Sequence, residues 1–358
     1  ANRFVFEFWE KLSVTKSIEN IADSFRVEVS DKWSLIGARS PLRSGDAIQV
    51  KIDNDLVLTG YLDKIIPAFS ATSHTIKISG RSMAGDLVDC SVATEEDPSK
   101  GVDELNNVSL VDAAQQIAIP FGIAVIDKVG DTTKIAKFKV QPGEKCYEAI
   151  SRAAGEIGVL VVSNPEGSIE IQRAGSKKTQ TVLLQDPRSQ KTNIKSGSAI
   201  FDDSQRFSNY TVKSQTGSVA NFTLAKDSSQ VQGKATDAGV SRFRPLIVLA
   251  ENSSNGEQAQ KRAEWEAANR VGDAMGVNVE VVGWRDGQGA LWAVNTLVRV
   301  ESTYLYMNAE LLITDLTFSQ DQEAGTITKM TLKRPDAFLP ELAKTAKSES
   351  LSSFPVLK

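Results

Sequence analysis

The chain has 358 residues, 41% hydrophobic and 24% charged, the balance of an ordinary globular protein with room for roughly two to four cored domains. Its net charge of −4 gives no general affinity for nucleic acid, and its two cysteines, Cys90 and Cys146, are too few for a disulfide framework, so a reducing compartment is expected. There is a single histidine, His74, so any Ser-His-Asp or Cys-His site must use it and a histidine-based metal site is nearly excluded.

No apolar run is long enough to span a bilayer; "IGVLVV" (157–162) falls far short, and no membrane insertion is expected. The opening "ANRFVFEF" has no basic stretch followed by an apolar one, so no secretory signal is read there. The Asn-x-Ser/Thr triplets at Asn107, Asn209, Asn221 and Asn252 are accordingly read as chance matches.

The first ninety residues read as strands. "AIQVKID" (47–53) and "LVLTGYLDKI" (56–65) flank an Asn54-Asp55 turn and predict a hairpin, and "HTIKISG" (74–80) alternates Ile76 and Ile78 with polar neighbours. From 94 to 175 the pattern changes. "SLVDAAQQIAIPFGIAVI" (109–126) and "KCYEAISRAAGEIGVLVV" (145–162) align without a gap at an offset of 36 residues (109 to 145), placing Gly122 over Gly158. Each copy predicts an amphipathic helix, a glycine that ends it and an apolar strand. "NPEG" (164–167) then turns into a further strand, "SIEIQRA".

Strands return after 176: "QTVLLQ", "RFSNYTVKSQ", "VANFTLAK", "TLVRVES", "AELLITDLTFSQ" and "TITKMTLKRP". A helix over 256–275 interrupts them, with Asn255 as N-cap and Glu257 and Gln258 in its first turn. Ala259, Ala263, Ala267, Val271 and Met275 recur every fourth residue, a narrow small-residue stripe suited to close packing. The chain closes in a Ser-rich polar stretch.

The fold class expected is therefore α+β, mainly β. Two antiparallel β-barrels (1–93 and 176–338, the second with a helical insertion at about 240–284) enclose a small α/β module (94–175), and a flexible tail (339–358) follows.

Candidate chemistry is sparse. "GRSMAG" (80–85) approaches the Gly-x-Ser-x-Gly nucleophile turn, but Ala84 takes the second glycine's slot, antiparallel strands precede it, and His74 lies before Ser82 rather than after it. Ser82 is read as a turn residue leaving the third strand, and Cys90 and Cys146 as buried structural thiols. Asp86/Asp89, Glu95/Glu96/Asp97 and Asp202/Asp203 form no calcium-loop pattern, and there is no P-loop and no Cys-x-x-Cys. A basic stretch with Arg173, Lys177, Lys178, Arg188, Lys191 and Lys195 reads as a solvated loop or a surface for an acidic partner. No catalytic residue, cofactor or metal site is predicted. "VQPGEKCYEAISRAAGEIGV" (140–159) resembles the opening of a LysM module, which would imply a cell-wall binder, though a Pro-Gly-acid turn is also simply a good helix start.

The order of elements resembles the baseplate hub proteins of contractile-tailed phages, most closely those of Mu-like phages and prophages. "LTGYLDKI" followed by "IKISGRSMAGDLVDCS" is similar to the family's first barrel, with its signature falling on Gly80, Arg81, Ser82, Asp86 and Asp89. "RFSNYTVKSQTG" (206–217), "RAEWEAANR" (262–270), "LWAVNTLVRVES" (291–302) and 311–338 resemble its later parts.

The resemblance implies a virion component that is not an enzyme: a homotrimer whose two like barrels per chain give pseudo-sixfold symmetry. Its partners would be the tail spike, the tail tube and other baseplate proteins, with DNA only passing through the channel. The hub of a contractile secretion or tailocin machine is the alternative. Within the signature, Gly80 is expected to allow close chain approach, Arg81 and Asp86 to form an ion pair, and Leu87 and Val88 to pack.

Overall fold

The computed structural model describes residues 9–30, 42–72, 74–93, 102–188, 192–214, 231–250 and 256–338. These fall into two compact units, one within 1–154, 159–199 and 277–333, the other within 155–158, 200–276 and 334–358.

The N-terminal part of the first unit is strand after strand. They are β1 (Lys11–Ser17), β2 (Ser24–Ser30), β3 (Ala47–Ile52), β4 (Asp55–Phe69) and β5 (His74–Ser82). The β3–β4 hairpin turns at Asp53 and Asn54, one residue earlier than the sequence suggests, with Asp53 in the left-handed region at φ 53°. An acidic or amide side chain tolerates that conformation, which is why either of two adjacent positions satisfies the pattern. A short helix, α1 (Gly85–Asp89), follows β5.

The next segment alternates strand and helix. β6 (Glu104–Ser109) leads into α2 (Leu110–Ala118), where Ser109 caps the first turn by accepting the Asp112 N–H at 3.1 Å. β7 (Val125–Asp127) and β8 (Lys134–Lys139) precede α3 (Cys146–Ile157), which β9 (Leu160–Ser163) and β10 (Ile169–Gln172) follow. Gly122 and Gly158 hold φ of 68° and 73°, so the two aligned glycines do end their helices in the left-handed conformation. The repeat closes on itself through β10, which pairs parallel with β7 and antiparallel with β9. β6 and β8, ahead of the two helices, form their own antiparallel ladder.

β11 (Lys177–Gln185) and β12 (Ile194–Phe201) follow. In the second unit, β13 (Asn209–Ser214) is the centre of a three-stranded sheet between β14 (Val231–Thr236) and β15 (Pro245–Ala250). α4 (Gly256–Asp273) packs on it, with Ala259 and Ala263 fully buried against Val212. The four-residue stripe has this use: a Cβ on Gly233 of β14 would lie 2.0 Å from the Ala259 carbonyl oxygen, so helix and sheet backbones touch. "VANFTLAK", Asn255 and the terminal stretch 339–358 lie outside the described residues.

The chain then returns through β16 (Met275–Val282), β17 (Thr296–Ser302), β18 (Met307–Asp321) and β19 (Gly325–Lys333). The segment about 240–284 is thus not helix alone; β15 and β16 flank α4. The main sheet runs β12-β16-β19-β18-β1-β2-β5-β4-β3, with β17 paired to both β18 and β11. β18 joins the two ends of the chain. Its first half pairs with β17 and its second half with β1, the change coming at an irregularity between Ile313 and Asp315. The fold is mainly β with several sheets. Its early and late strands, read from sequence as separate sets, form one continuous ladder.

Candidate functional site

The signature segment lies where β5 ends and α1 begins. β5 buries Ile76, Ile78, Gly80 and Ser82 on one face and carries Lys77, Ser79 and Arg81 on the other. Gly80 sits where its strand meets β4 and β2 closely: a Cβ there would fall 2.0 Å from the Tyr61 carbonyl oxygen and 2.7 Å from the Phe25 ring. Gly60, opposite Ser82 on β4, is as tightly placed: a Cβ on it would fall 1.9 Å from the Arg81 carbonyl oxygen.

Arg81 is the centre of the cluster. Nη1 and Nη2 donate to the two carboxylate oxygens of Asp89 at 3.0 and 2.6 Å, and Nε donates to Asp63 at 2.8 Å. The paired oxygens of one carboxylate meet the fork of the guanidinium, the stronger geometry for such a pair. Asp63 reaches it because the β4–β5 register slips between Leu62 and Lys64, leaving Asp63 as the extra residue of a bulge. Arg81 therefore ties together β5, the bulge of β4 and the last residue of α1.

This corrects the expected pairing. Asp89, one helical turn on from Asp86, is the partner that the fork engages, and Asp63 is the second. Asp86 stands beside the cluster, its carboxyl held above the ordinary range chiefly by burial and also by the neighbouring Asp89 and Asp63, with Arg81 opposing. Arg81 in turn holds Asp89 below the ordinary range through its hydrogen bonds. Leu87 is fully buried and Val88 half-buried.

A second ion pair underlies the same corner. Lys16 occupies the buried face of β1 with Leu12 and Val14, and its ammonium meets Asp23 at 2.5 Å and the Val57 carbonyl at 3.2 Å. Burial pushes the Asp23 carboxyl up against the opposing pull of Lys16. The Asp23 carbonyl accepts the Ser82 N–H at 2.8 Å, and the Thr59 carbonyl accepts the Met83 N–H at 3.1 Å.

Ser82 is not placed as a nucleophile. It is 2% exposed, and its hydroxyl has no hydrogen-bond partner among the described residues, whereas an activated serine needs a base within reach. His74 is exposed at the far end of the same strand, roughly 26 Å away at the rise of an extended chain. Cys146 is buried as expected, with burial pushing its thiol up to about 12, but Cys90, the C-cap of α1, is exposed. Within the basic stretch, Lys178 pairs with Glu310 and Arg173 with Asp131, so part of that charge is used within the fold; Lys191 lies outside the described residues. No group of three or more His, Cys, Asp or Glu side chains is arranged to hold a metal among the described residues.

The cluster fastens β5, the bulge of β4 and α1 to one another. Residues 2–82 match the N-terminal domain of Mu phage baseplate assembly protein GpP-like proteins, 84–173 the second domain of baseplate hub protein gp44-like proteins, and 255–341 the fourth domain of Mu phage baseplate assembly protein GpP. The baseplate hub protein gp44 of Escherichia phage Mu is 31% identical over 344 residues, which is 94% of this chain and 86% of that protein. The chain belongs to the baseplate hub proteins of Mu-like phages.

A crystal structure carries the hub fold over the same length. The 43 kDa tail protein of prophage MuSo2 from Shewanella oneidensis, 32% identical, superposes with a TM-score of 0.80 over 94% of this chain and 97% of that one. A type VI secretion component of E. coli, c3393, shares the fold alone, at 10% identity and a TM-score of 0.51 over 90% of this chain and 73% of that one. Sequence identity thus sets the chain with the phage hubs rather than the secretion machines, and residues 84–173 fall to the hub family rather than to a cell-wall binder. It is a structural component of the phage tail, and its relatives are structural baseplate proteins.

Proposed function

We propose that this hub works as a homotrimeric ring without enzymatic activity, holding the central spike on one side and the tail tube on the other in a contractile tail. Its partners are further copies of itself, the spike, the tube and neighbouring baseplate proteins, and DNA meets it only by passing through the central channel.

The observation that carries this reading is the ladder between β1 and β18, six residue pairs from Leu12–Gln320 to Ser17–Asp315. It makes the early and late strand sets one rigid span, which suits a part that transmits force and does not turn over substrate. Two strand-rich regions in each of three chains would present six similar faces to a tube and three to a spike. In this scheme 1–93 and 176–338 are the two ring-forming regions, 94–175 is an added module, 339–358 is a tail, and Gly80, Arg81, Ser82, Asp86 and Asp89 form the joint leaving the first region.

Co-expression with the spike and tube proteins of the same prophage tests the proposal. Recovery of one complex containing both, with three hub chains per spike trimer, is the expected result. Failure to retain either partner would overturn it.

A further inference from the structure

We propose that Cys90 and Cys146 are a thiol pair that closes reversibly into a disulfide, joining the end of α1 to the start of α3. The two cysteines are opposed across a short antiparallel contact. Ser91 and Lys145 form an isolated bridge. On one side of it the Val92 N–H donates to the Glu144 carbonyl at 3.0 Å, and on the other the Cys146 N–H donates to the Cys90 carbonyl, also at 3.0 Å. One step from the bridge, Cys90 therefore faces Cys146.

Opposed residues of an antiparallel pair carry their side chains on the same face, with Cα atoms about 4.5–5.5 Å apart. A disulfide needs a Cα separation of about 4.4–6.8 Å. The backbone around the pair is fastened on both sides: the Cys90 N–H ends α1 on the Asp86 carbonyl, and the Ser91 hydroxyl donates to the Gly143 carbonyl at 3.2 Å.

Their environments divide the labour. Cys90 is exposed and meets an oxidant first. Cys146 is fully buried at the start of α3, on the face shared with Ala149 and Ile150. The oxidant is a small-molecule disulfide. The Cys90 thiolate attacks one of its sulfurs, forming a mixed disulfide and expelling one small thiolate. The Cys146 thiolate then attacks Cys90 Sγ, expelling the second. The small disulfide is reduced to two thiols, the two cysteines are oxidised, and the two protons the cysteines lose are taken up by the expelled thiolates or by solvent. Because burial pushes the Cys146 thiol up to about 12, the second step is the slow one.

A reducing cell interior keeps the pair open while the tail is built, and the medium outside the cell closes it. A closed bond would pin α1, which Arg81 fastens to the first sheet, to the helix that opens the second repeat. The fastening would become covalent after release.

The test uses the purified full chain incubated with oxidised glutathione, followed by denaturing alkylation and peptide mapping without reduction. The expected product is a Cys90–Cys146 linked peptide, with melting at higher temperature than the dithiothreitol-treated protein. Its formation should quicken roughly tenfold per pH unit between about pH 7 and 9, as a buried thiol of high pKa would. Cys146→Ser should stop at a glutathione adduct on Cys90, and Cys90→Ser should take up no glutathione while folded. A wild-type protein whose Cys90 adduct persists at the end point with Cys146 free at the highest pH tested, that links Cys90 between molecules, or that stays fully reduced overturns the proposal; the wild-type result stands even if a variant fails to fold.

Discussion

Arg81 grips both oxygens of Asp89, at 3.0 and 2.6 Å, and donates its Nε–H to the bulge residue Asp63 at 2.8 Å. The side chains are partly solvated, Arg81 33% and Asp89 52% exposed, so screening reduces what the contact contributes. Arg81→Ala should lower stability by about 1–2 kcal/mol, including lost packing of the side chain over Gly85. Arg81→Lys should recover less than half of that, because an ammonium cannot fill the fork. Urea unfolding of the three proteins reads the difference, and equal midpoints would remove the clamp from the account.

The same contact predicts a pH dependence. Arg81 lowers the Asp89 carboxyl in the folded state. A lowered carboxyl stabilises the fold above its unfolded value of about 3.9, and the contribution fades as pH falls through the folded value. The stability gap between wild type and Arg81→Ala should therefore be full near neutrality and narrow at progressively lower pH below about 4. A gap that widens on acidification contradicts the assignment.

The close strand approach at Gly80 makes a sharper demand. With backbone and an aromatic ring in the way of any Cβ, Gly80→Ala should cost upward of about 3 kcal/mol or abolish soluble expression. Gly122, left-handed at φ 68° with open space around it, should cost only about 1 kcal/mol on the same change. Thermal melts of the pair decide it, since comparable losses would mean that the steric reading of β4 and β5 is wrong.

Lys16 and Asp23 give a test with a counterintuitive outcome. Asp23→Ala strands a buried ammonium and should destabilise by about 3–5 kcal/mol. Combining it with Lys16→Met removes the stranded charge and should restore much of the loss. A double variant as weak as the single would show that Lys16 is not paired in the folded protein.

These residues mark where sequence reasoning reached and where it stopped. The left-handed glycines Gly122 and Gly158 and the alanine stripe of α4 were legible, because each follows from local pattern and one conformational rule, whereas the packing of Leu87 was expected from the family resemblance alone. The partner of Arg81 was not. Asp86 and Asp89 lie three apart on one turn, and spacing alone cannot say which meets the fork, nor that a register slip brings in Asp63. The strand β12, with little apolar alternation in "IKSGSAIF", and the polar strands β6 and β14 left no periodic signal, because their places are set by pairing with distant strands. The β1–β18 ladder joins residues about three hundred positions apart, a relation no local pattern encodes.

The central claim is the threefold ring, and the solution mass of the purified hub tests it most directly. Light scattering across a range of protein and salt concentrations should return three times the 38.8 kDa chain mass, independent of dilution over the working range. A particle that stays monomeric at every concentration, or closes as a dimer, would contradict it.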